Sequence, residues 1–223
     1  PLYLAVIKTG AAYIPLDTNY PAQRIQYILS DADADLLVTE DCVQQRWQAS
    51  GSEVVAKRLL LLEQGLARLT EFSGAATACP DDPEAVLYYV YTSGSTGQPK
   101  GAGVFHRGES NLQDWYLSLL ALQPGDRVLL VSALGFDLTQ KNLFAGLCSG
   151  AALVIPEQDE YDPEYLQALI ARHQVTVINC APSAFYPLLE QAPALSGVRH
   201  VVLGGEPIRT AAVADWLNAG AGQ

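Results

Sequence analysis

Residues 91–101 read YTSGSTGQPKG, a span in which glycines, hydroxyls and one lysine crowd together directly behind a β-branched, aromatic run. Glycines let main-chain N–H groups close around an anion, hydroxyls add donors, and a lysine adds a point charge for phosphate oxygens. By composition Thr92, Ser93, Gly94, Ser95, Thr96, Gly97 and Lys100 form an anion cradle, and a flexible surface loop is the bland alternative that composition leaves open. Pro99 before the lysine and Gly101 after it depart from the G-x-x-x-x-G-K-[ST] pattern, which speaks against P-loop hydrolysis. A second pair of reactive types stands at Asp137 and Lys141, four residues apart and so on one helical face. The acid could cap a helix or meet a ligand's ammonium group. The lysine could pair with that acid or face a ligand of its own.

Positioning such groups takes a core, and the composition supplies one. The chain has 223 residues, 49% hydrophobic and 17% charged, with 13 basic against 24 acidic side chains and a net charge of −11. A chain of this size buries roughly 70% of its unfolded surface, so disorder is excluded. The acidic balance argues against nucleic acid and membrane surfaces as partners. The cysteines Cys42, Cys79, Cys148 and Cys180 are far apart with no Cys-x-x-Cys pair, and the histidines number three, so no metal site is expected. The cysteines read as reduced, mostly buried thiols, in keeping with the cytoplasm. No apolar run approaches the ~20 residues of a membrane helix. The chain begins at Pro1 and contains no methionine, which reads as a segment excised from within a longer protein.

Short β-branched runs alternate with amphipathic stretches, the pattern of an α/β fold in which helices flank mostly parallel sheets. Strands are expected near residues 12–14, 34–38, 59–62, 86–92, 127–131, 151–155, 175–179 and 198–203. Pro21 suits the first position of a helix that carries Ile25, Ile28 and Leu29 on one face. Tyr88, Tyr89 and Tyr91 share one strand as half-buried packing residues, and His106 reads as structural. One domain spans residues 1–223, with an internal lobe boundary at residues 73–84, where SGAATACPDDPE has the look of a connector.

The string YTSGSTGQPKG resembles the phosphate-binding signature of the adenylate-forming superfamily, which includes acyl-CoA synthetases, luciferases and the adenylation domains of nonribosomal peptide synthetases. Residues 7–17 (IKTGAAYIPLD) with Tyr20, Pro21, Arg24 and Ile25 resemble the peptide-synthetase form of an upstream motif, and His106 and Asn111 suit the same subfamily. Residues 136–150 (FDLTQKNLFAGLCSG) resemble its aromatic-Asp motif, residues 181–183 a pocket-lining turn, and residues 204–207 (GGEP) the turn beside adenine. Asn142 stands where the family usually has a glutamate, and Ala102 where a larger aliphatic is common.

The resemblance implies the first part of the large N-terminal subdomain of the adenylate-forming fold, ending before the small subdomain and its lysine. It implies ATP-dependent activation of an amino acid as an aminoacyl-adenylate, with Mg²⁺, and transfer to a phosphopantetheine thiol on a partner carrier protein among other synthetase domains. On its own the chain is expected to be inactive. Thr92 to Gly97 and Lys100 would hold phosphates, Lys100 as the catalytic cation, and Gly205, Glu206 and Pro207 would border adenine. Phe136, Asp137, Leu138, Lys141, Asn179, Val202 and Gly204 would line the amino-acid pocket, with Asp137 on the α-ammonium and Lys141 favouring a polar or acidic side chain. An acyl- or aryl-acid CoA ligase and a noncatalytic nucleotide-binding fragment are the alternatives.

Overall fold

The computed structural model describes residues 2–75, 78–93, 97–158, 160–190 and 195–218, the Ser93 side chain apart. It divides into two compact units, Pro1–His106 and Arg107–Gln223. Residues 73–84 therefore lie inside the first unit.

In that unit α1 (Leu2–Lys8) runs into a turn at Gly10, whose φ of 77° puts it in the left-handed region. The expected strand at residues 12–14 reduces to a single bridge between Tyr13 and Tyr88. Pro15 has no N–H to offer a ladder, which stops the pairing there. Helix α2 (Ala22–Asp31) buries Ala22, Ile25, Ile28 and Leu29 on one face. Pro21 precedes the helix rather than opening it, because its ψ of 141° is extended. Strand β1 (Leu37–Thr39) connects through α3 (Asp41–Ala49) to β2 (Leu59–Leu61), and the two strands pair in parallel. Ile25, Leu37, Val43 and Trp47 make the core beneath this βαβ turn. After α4 (Leu62–Ala67), β3 (Val86–Ser93) and β4 (Pro99–Phe105) form an antiparallel hairpin.

The second unit is the α/β layer that the alternating pattern predicts. Helix α5 (His106–Leu120) leads into β5 (Arg127–Leu129), α6 (Asp137–Ser149), β6 (Ala152–Val154), α7 (Pro163–His173), β7 (Val177–Cys180), α8 (Pro182–Leu189), β8 (His200–Leu203) and α9 (Thr210–Asn218). The four strands pair in parallel in the order β6-β5-β7-β8. A parallel sheet covered on both faces reads as near-continuous apolar sequence, and every residue of β7 is buried. Because side chains alternate along a strand, Leu129 and Ile178 pack with Ile170, Phe185, Leu188 and Trp216, while Val128 and Val177 pack with Tyr116, Leu120 and Ala145. Helix ends follow local chemistry. Asp162 accepts from the N–H groups of Glu164 and Tyr165 ahead of Pro163, and α6 stops at Gly150 with φ 74°.

Cys42, Cys79 and Cys148 are exposed and Cys180 alone is buried, which corrects the expectation of mostly buried thiols. Cys42 and Cys148 fall on the outward faces of helices that bury Val43 and Ala145 instead. Among the described residues no helix is long and apolar enough to cross a membrane.

Asp126 pins the loop ahead of β5. It is 3% exposed; its Oδ2 accepts from the N–H of Gln123 at 2.9 Å and from Arg199 Nη2 at 3.1 Å, and its Oδ1 accepts from Thr176 Oγ1 at 2.8 Å. A buried carboxylate satisfied by three donors leaves all three unpaired when removed. Asp126→Ala is expected to lower stability by about 3 kcal/mol, read from urea unfolding midpoints against the parent chain.

Candidate functional site

The cradle motif is carried at the end of a hairpin. Regular pairing runs further into it than the sequence suggests, since Thr92 stands opposite Lys100 and Ser93 opposite Pro99. Facing residues of an antiparallel pair project from the same side of the ladder, so Thr92 and Lys100, both exposed, share one side. Gly97 has φ 83°, a left-handed turn that an L side chain would strain. Gly94, Ser95 and Thr96 lie outside the described residues.

Two features that the sequence did not reveal hold the hairpin. A Cβ at Gly101 would lie 2.9 Å from the Tyr91 ring, and one at Gly103 would lie 3.0 Å from the Tyr89 ring, so each glycine leaves room for a tyrosine across the ladder. Tyr91 is 8% exposed and its hydroxyl donates to Asp31 Oδ2 at 2.8 Å. Burial raises the Tyr91 phenol above its ordinary value, and the Asp31 carboxylate adds to the effect. The ring is therefore fixed in place on the rung next to the Thr92–Lys100 pair.

In the second unit the predicted residues gather around the start of α6. Phe136 precedes the helix in extended conformation, with 58% of its surface exposed. Asp137 is exposed and its Oδ1 accepts from the N–H of Leu138 at 2.8 Å, so the acid does occupy the helix's first turn, where the dipole favours negative charge. Among the described residues no hydrogen bond reaches its other carboxylate oxygen. Leu138 is half-buried, with its methyls 3.7 and 3.8 Å from where Cβ atoms on Gly204 and Gly205 would stand. The β8 turn thus meets the α6 start.

What fixes this helix start is a set of buried polar side chains that sequence reasoning passed over. Thr139 Oγ1 reaches the carbonyls of Ser132 and Ala133 at 3.0 and 2.8 Å, and Gln140 Nε2 donates to the Leu134 carbonyl at 2.6 Å. Both residues are at most 1% exposed. They tie the incoming loop to the helix it feeds, and so set where Phe136 and Asp137 stand. The signal was present as two adjacent polar positions on a helix otherwise expected to bury apolar ones.

Further along α6, Asn142 joins three elements. Its Oδ1 accepts from Tyr116 Oη of α5 at 3.2 Å and from Asn179 Nδ2 of β7 at 3.0 Å, and its Nδ2 donates to the Asn179 carbonyl at 3.1 Å. Tyr116, Asn142 and Asn179 are at most 1% exposed. Asn179 Oδ1 is buried with no donor. Burial raises the Tyr116 phenol, and the neighbouring Asn179 amide opposes that shift. On the same α5 face Gln113 Nε2 donates to Glu109 Oε1 at 2.7 Å and to the Lys141 carbonyl at 3.0 Å. Half-buried Lys141 places its Nζ 4.9 Å from the centre of the Tyr116 ring. Burial lowers the Lys141 ammonium below the usual lysine range, and the charges of Asp137 and Glu109 pull it back up.

The other predicted residues lie along β8 and the turn after it. Val202 is half-buried and packs against the Val128–Val177 face of the sheet. Gly205 has φ 84°. Glu206 is exposed but engaged, its carboxylate accepting from the N–H of Ser183 at 3.0 Å and from Ser183 Oγ at 2.8 Å at the start of α8. The Cys180 thiol nearby is pushed up to about 12 by burial, with the Glu206 charge adding to it. Glu206, Ser183, Tyr186, Glu190 and Arg209 border an open groove of about 690 Å³. Asp137, Lys141 and Asn179 are not among its lining residues. The structure thus brings Leu138, Gly204 and Gly205 together, links Asn179 to α6 through Asn142, and sets Glu206 in a groove of its own.

The family described as AMP-binding enzyme matches residues 2–223. The chain is 35% identical to tyrocidine synthase 3 of Brevibacillus parabrevis over 92% of its length, and 32% identical to tyrocidine synthase 1 of the same organism over 96%. It spans 3% of the first of these relatives and 19% of the second. Among solved structures, the nonribosomal peptide synthetase FmoA3 superposes with a TM-score of 0.85 at 26% identity, over 97% of this chain and 23% of that one.

The hairpin yields a direct test. In Gly101→Ala the new methyl meets a ring that Asp31 and the surrounding burial hold fixed, so ring or strand must move. We expect a loss of about 1–3 kcal/mol in thermal or urea unfolding of the first unit.

Proposed function

The chain belongs to the AMP-binding enzyme family, and from that premise we propose that it serves the ATP-dependent activation of an amino acid as an aminoacyl-adenylate, passed on to a carrier-protein phosphopantetheine thiol. The observation that carries this reading is the likeness to peptide-synthesising relatives along nine-tenths of the chain, with an acid at the head of α6.

In the first half-reaction a carboxylate oxygen of the amino acid forms a bond to the α-phosphorus of ATP. The bridging oxygen between the α- and β-phosphates departs with the bonding pair as pyrophosphate. Both reactants are anionic, so the barrier is set by bringing like charges together and by charge spreading over phosphate oxygens, and preorganised donors matter more than a general base. Thr92 to Gly97 would supply donors to the β- and γ-phosphates, and Lys100 a compensating positive charge. Thr92 and Lys100 as cross-strand neighbours suit that work, since one ladder rung presents a hydroxyl and an ammonium together. Asp137 would hold the substrate's α-ammonium with the carboxylate oxygen that its own helix leaves free. Gly205, Glu206 and Pro207 would border adenine, and Phe136 would stand between the carboxylate and phosphate ends. Mg²⁺ arriving with ATP would offset phosphate charge alongside the Thr92 hydroxyl and the Lys100 ammonium. In the second half-reaction the thiol's sulfur bonds the acyl carbon, the thiol proton is lost, and AMP leaves with the carbon–oxygen bonding pair.

The test is amino-acid-dependent exchange of labelled pyrophosphate into ATP by the full-length protein. We expect exchange with one or a few amino acids, and a fall in kcat/KM of about 100-fold or more in Asp137→Ala, through loss of a charge-assisted contact that orients the attacking carboxylate. Exchange with benzoates or fatty acids in place of amino acids would overturn the reading.

A further inference from the structure

The outward rung of the hairpin and its anchor lie on opposite sides of one ladder. Thr92 and Lys100 are exposed, and because side chains alternate along a strand, Tyr91 and Gly101 on the next rung project from the other side. There the Tyr91 ring lies across the Gly101 backbone, its nearest atom 2.9 Å from where a Cβ would stand. Gly101 brings no side chain of its own to steady β4, so the ring seated on it limits how far the strand, and Lys100 with it, can shift.

What keeps the ring there is Asp31. The hydroxyl of Tyr91, a residue 8% exposed, donates to Asp31 Oδ2 at 2.8 Å. Asp31 is the last residue of α2, a helix whose Ala22, Ile25 and Leu29 are set in the core of the first unit. An acid in a helix's last turn faces the negative end of the dipole, and α2 has no basic residue there to offset it. A sequence that breaks a local rule compensates elsewhere. Here the compensation is a mostly buried phenol, whose hydroxyl loses its acceptor if the carboxylate is removed.

We propose that Asp31 is a positioning residue for the phosphate-handling rung. Acting through the Tyr91 ring and the Gly101 backbone, it fixes where the Lys100 ammonium and the Thr92 hydroxyl stand, so that its loss is felt by ATP and not by the amino acid. Asp31 itself touches no substrate. The inference rests on the phosphate role of Thr92 and Lys100 given above.

The test is pyrophosphate exchange by the full-length protein, with ATP and the amino acid varied separately. Tyr91→Phe keeps the ring and drops the tether, and Asp31→Ala removes the tether's other end. Each is expected to lower kcat/KM for ATP about tenfold with KM for the amino acid unchanged. Hydroxyl and carboxylate act as one unit, so the double variant should be no worse than either single. Asp31→Asn retains an oxygen that can accept from the phenol and should stay within about twofold of the parent. Tyr89→Phe, which keeps the ring over Gly103, should leave ATP use as it was. Loss of folding would not spare the amino acid's KM or be rescued by Asp31→Asn. Singles that leave ATP use unchanged, additive losses in the double variant, an equal rise in the amino acid's KM or an equal loss in Tyr89→Phe would each overturn the inference while leaving amino-acid activation standing. Unchanged ATP use in Lys100→Ala would overturn the phosphate role and this inference with it.

Discussion

A side-chain amide shut inside a core must find partners there, and Asn142 meets that demand at the junction of α5, α6 and β7. Its carboxamide gives and takes with Asn179 and takes from Tyr116, so the helix that begins at Asp137 is locked in rotation and height against the sheet. Every placement near the α6 start follows from that lock. Leu138 reaches the β8 glycines, Lys141 lies on the Tyr116 ring, and Thr139 and Gln140 can catch the carbonyls of the loop before them. An apolar residue at position 142 would pack, but it would take away the hydrogen bonds that Asn179 and Tyr116 make with α6 and leave the helix free to slide.

The hairpin in the first unit solves a different problem. A glycine-rich segment gains freedom to wrap an anion and loses the side-chain contacts that would keep it still. Here the stiffness is borrowed from the flanks. Two tyrosine rings lie across two strand glycines, and one of those rings is tethered to Asp31 on α2. The turn is thereby hung from a rigid ladder instead of from a floppy stalk.

Much of the architecture was readable from the chain alone, because the α/β signal is periodicity and the second unit's strands are nearly continuous apolar runs. Six of the expected strands fell within a residue or two of where β-branched stretches placed them, while the one expected at residues 34–38 starts three residues later, at Leu37, and β4 was not among those expected. Pairing partners were not readable, which is why the expected strand at residues 12–14 came down to one bridge and the hairpin ladder ran further into the glycine-rich motif than expected. Exposure of single thiols was also out of reach, since a one-residue offset on a helix decides it. At the site, Asp137 and Lys141 stood out by type and spacing. Glu109, Gln113 and Tyr116 did not, because an acid, an amide and a phenol on one stripe of a helix look like a solvated face until the partner helix is present to receive them.

The indoles add one consequence. Trp47 sits in the core of the first unit and Trp216 in that of the second, 8% and 7% exposed, whereas Trp115 on α5 is 53% exposed. Each folded body thus carries its own interior fluorophore, and the water-facing one is spectrally separable by quenching with iodide. Emission from variants that keep a single indole would say whether the two bodies melt together or in turn.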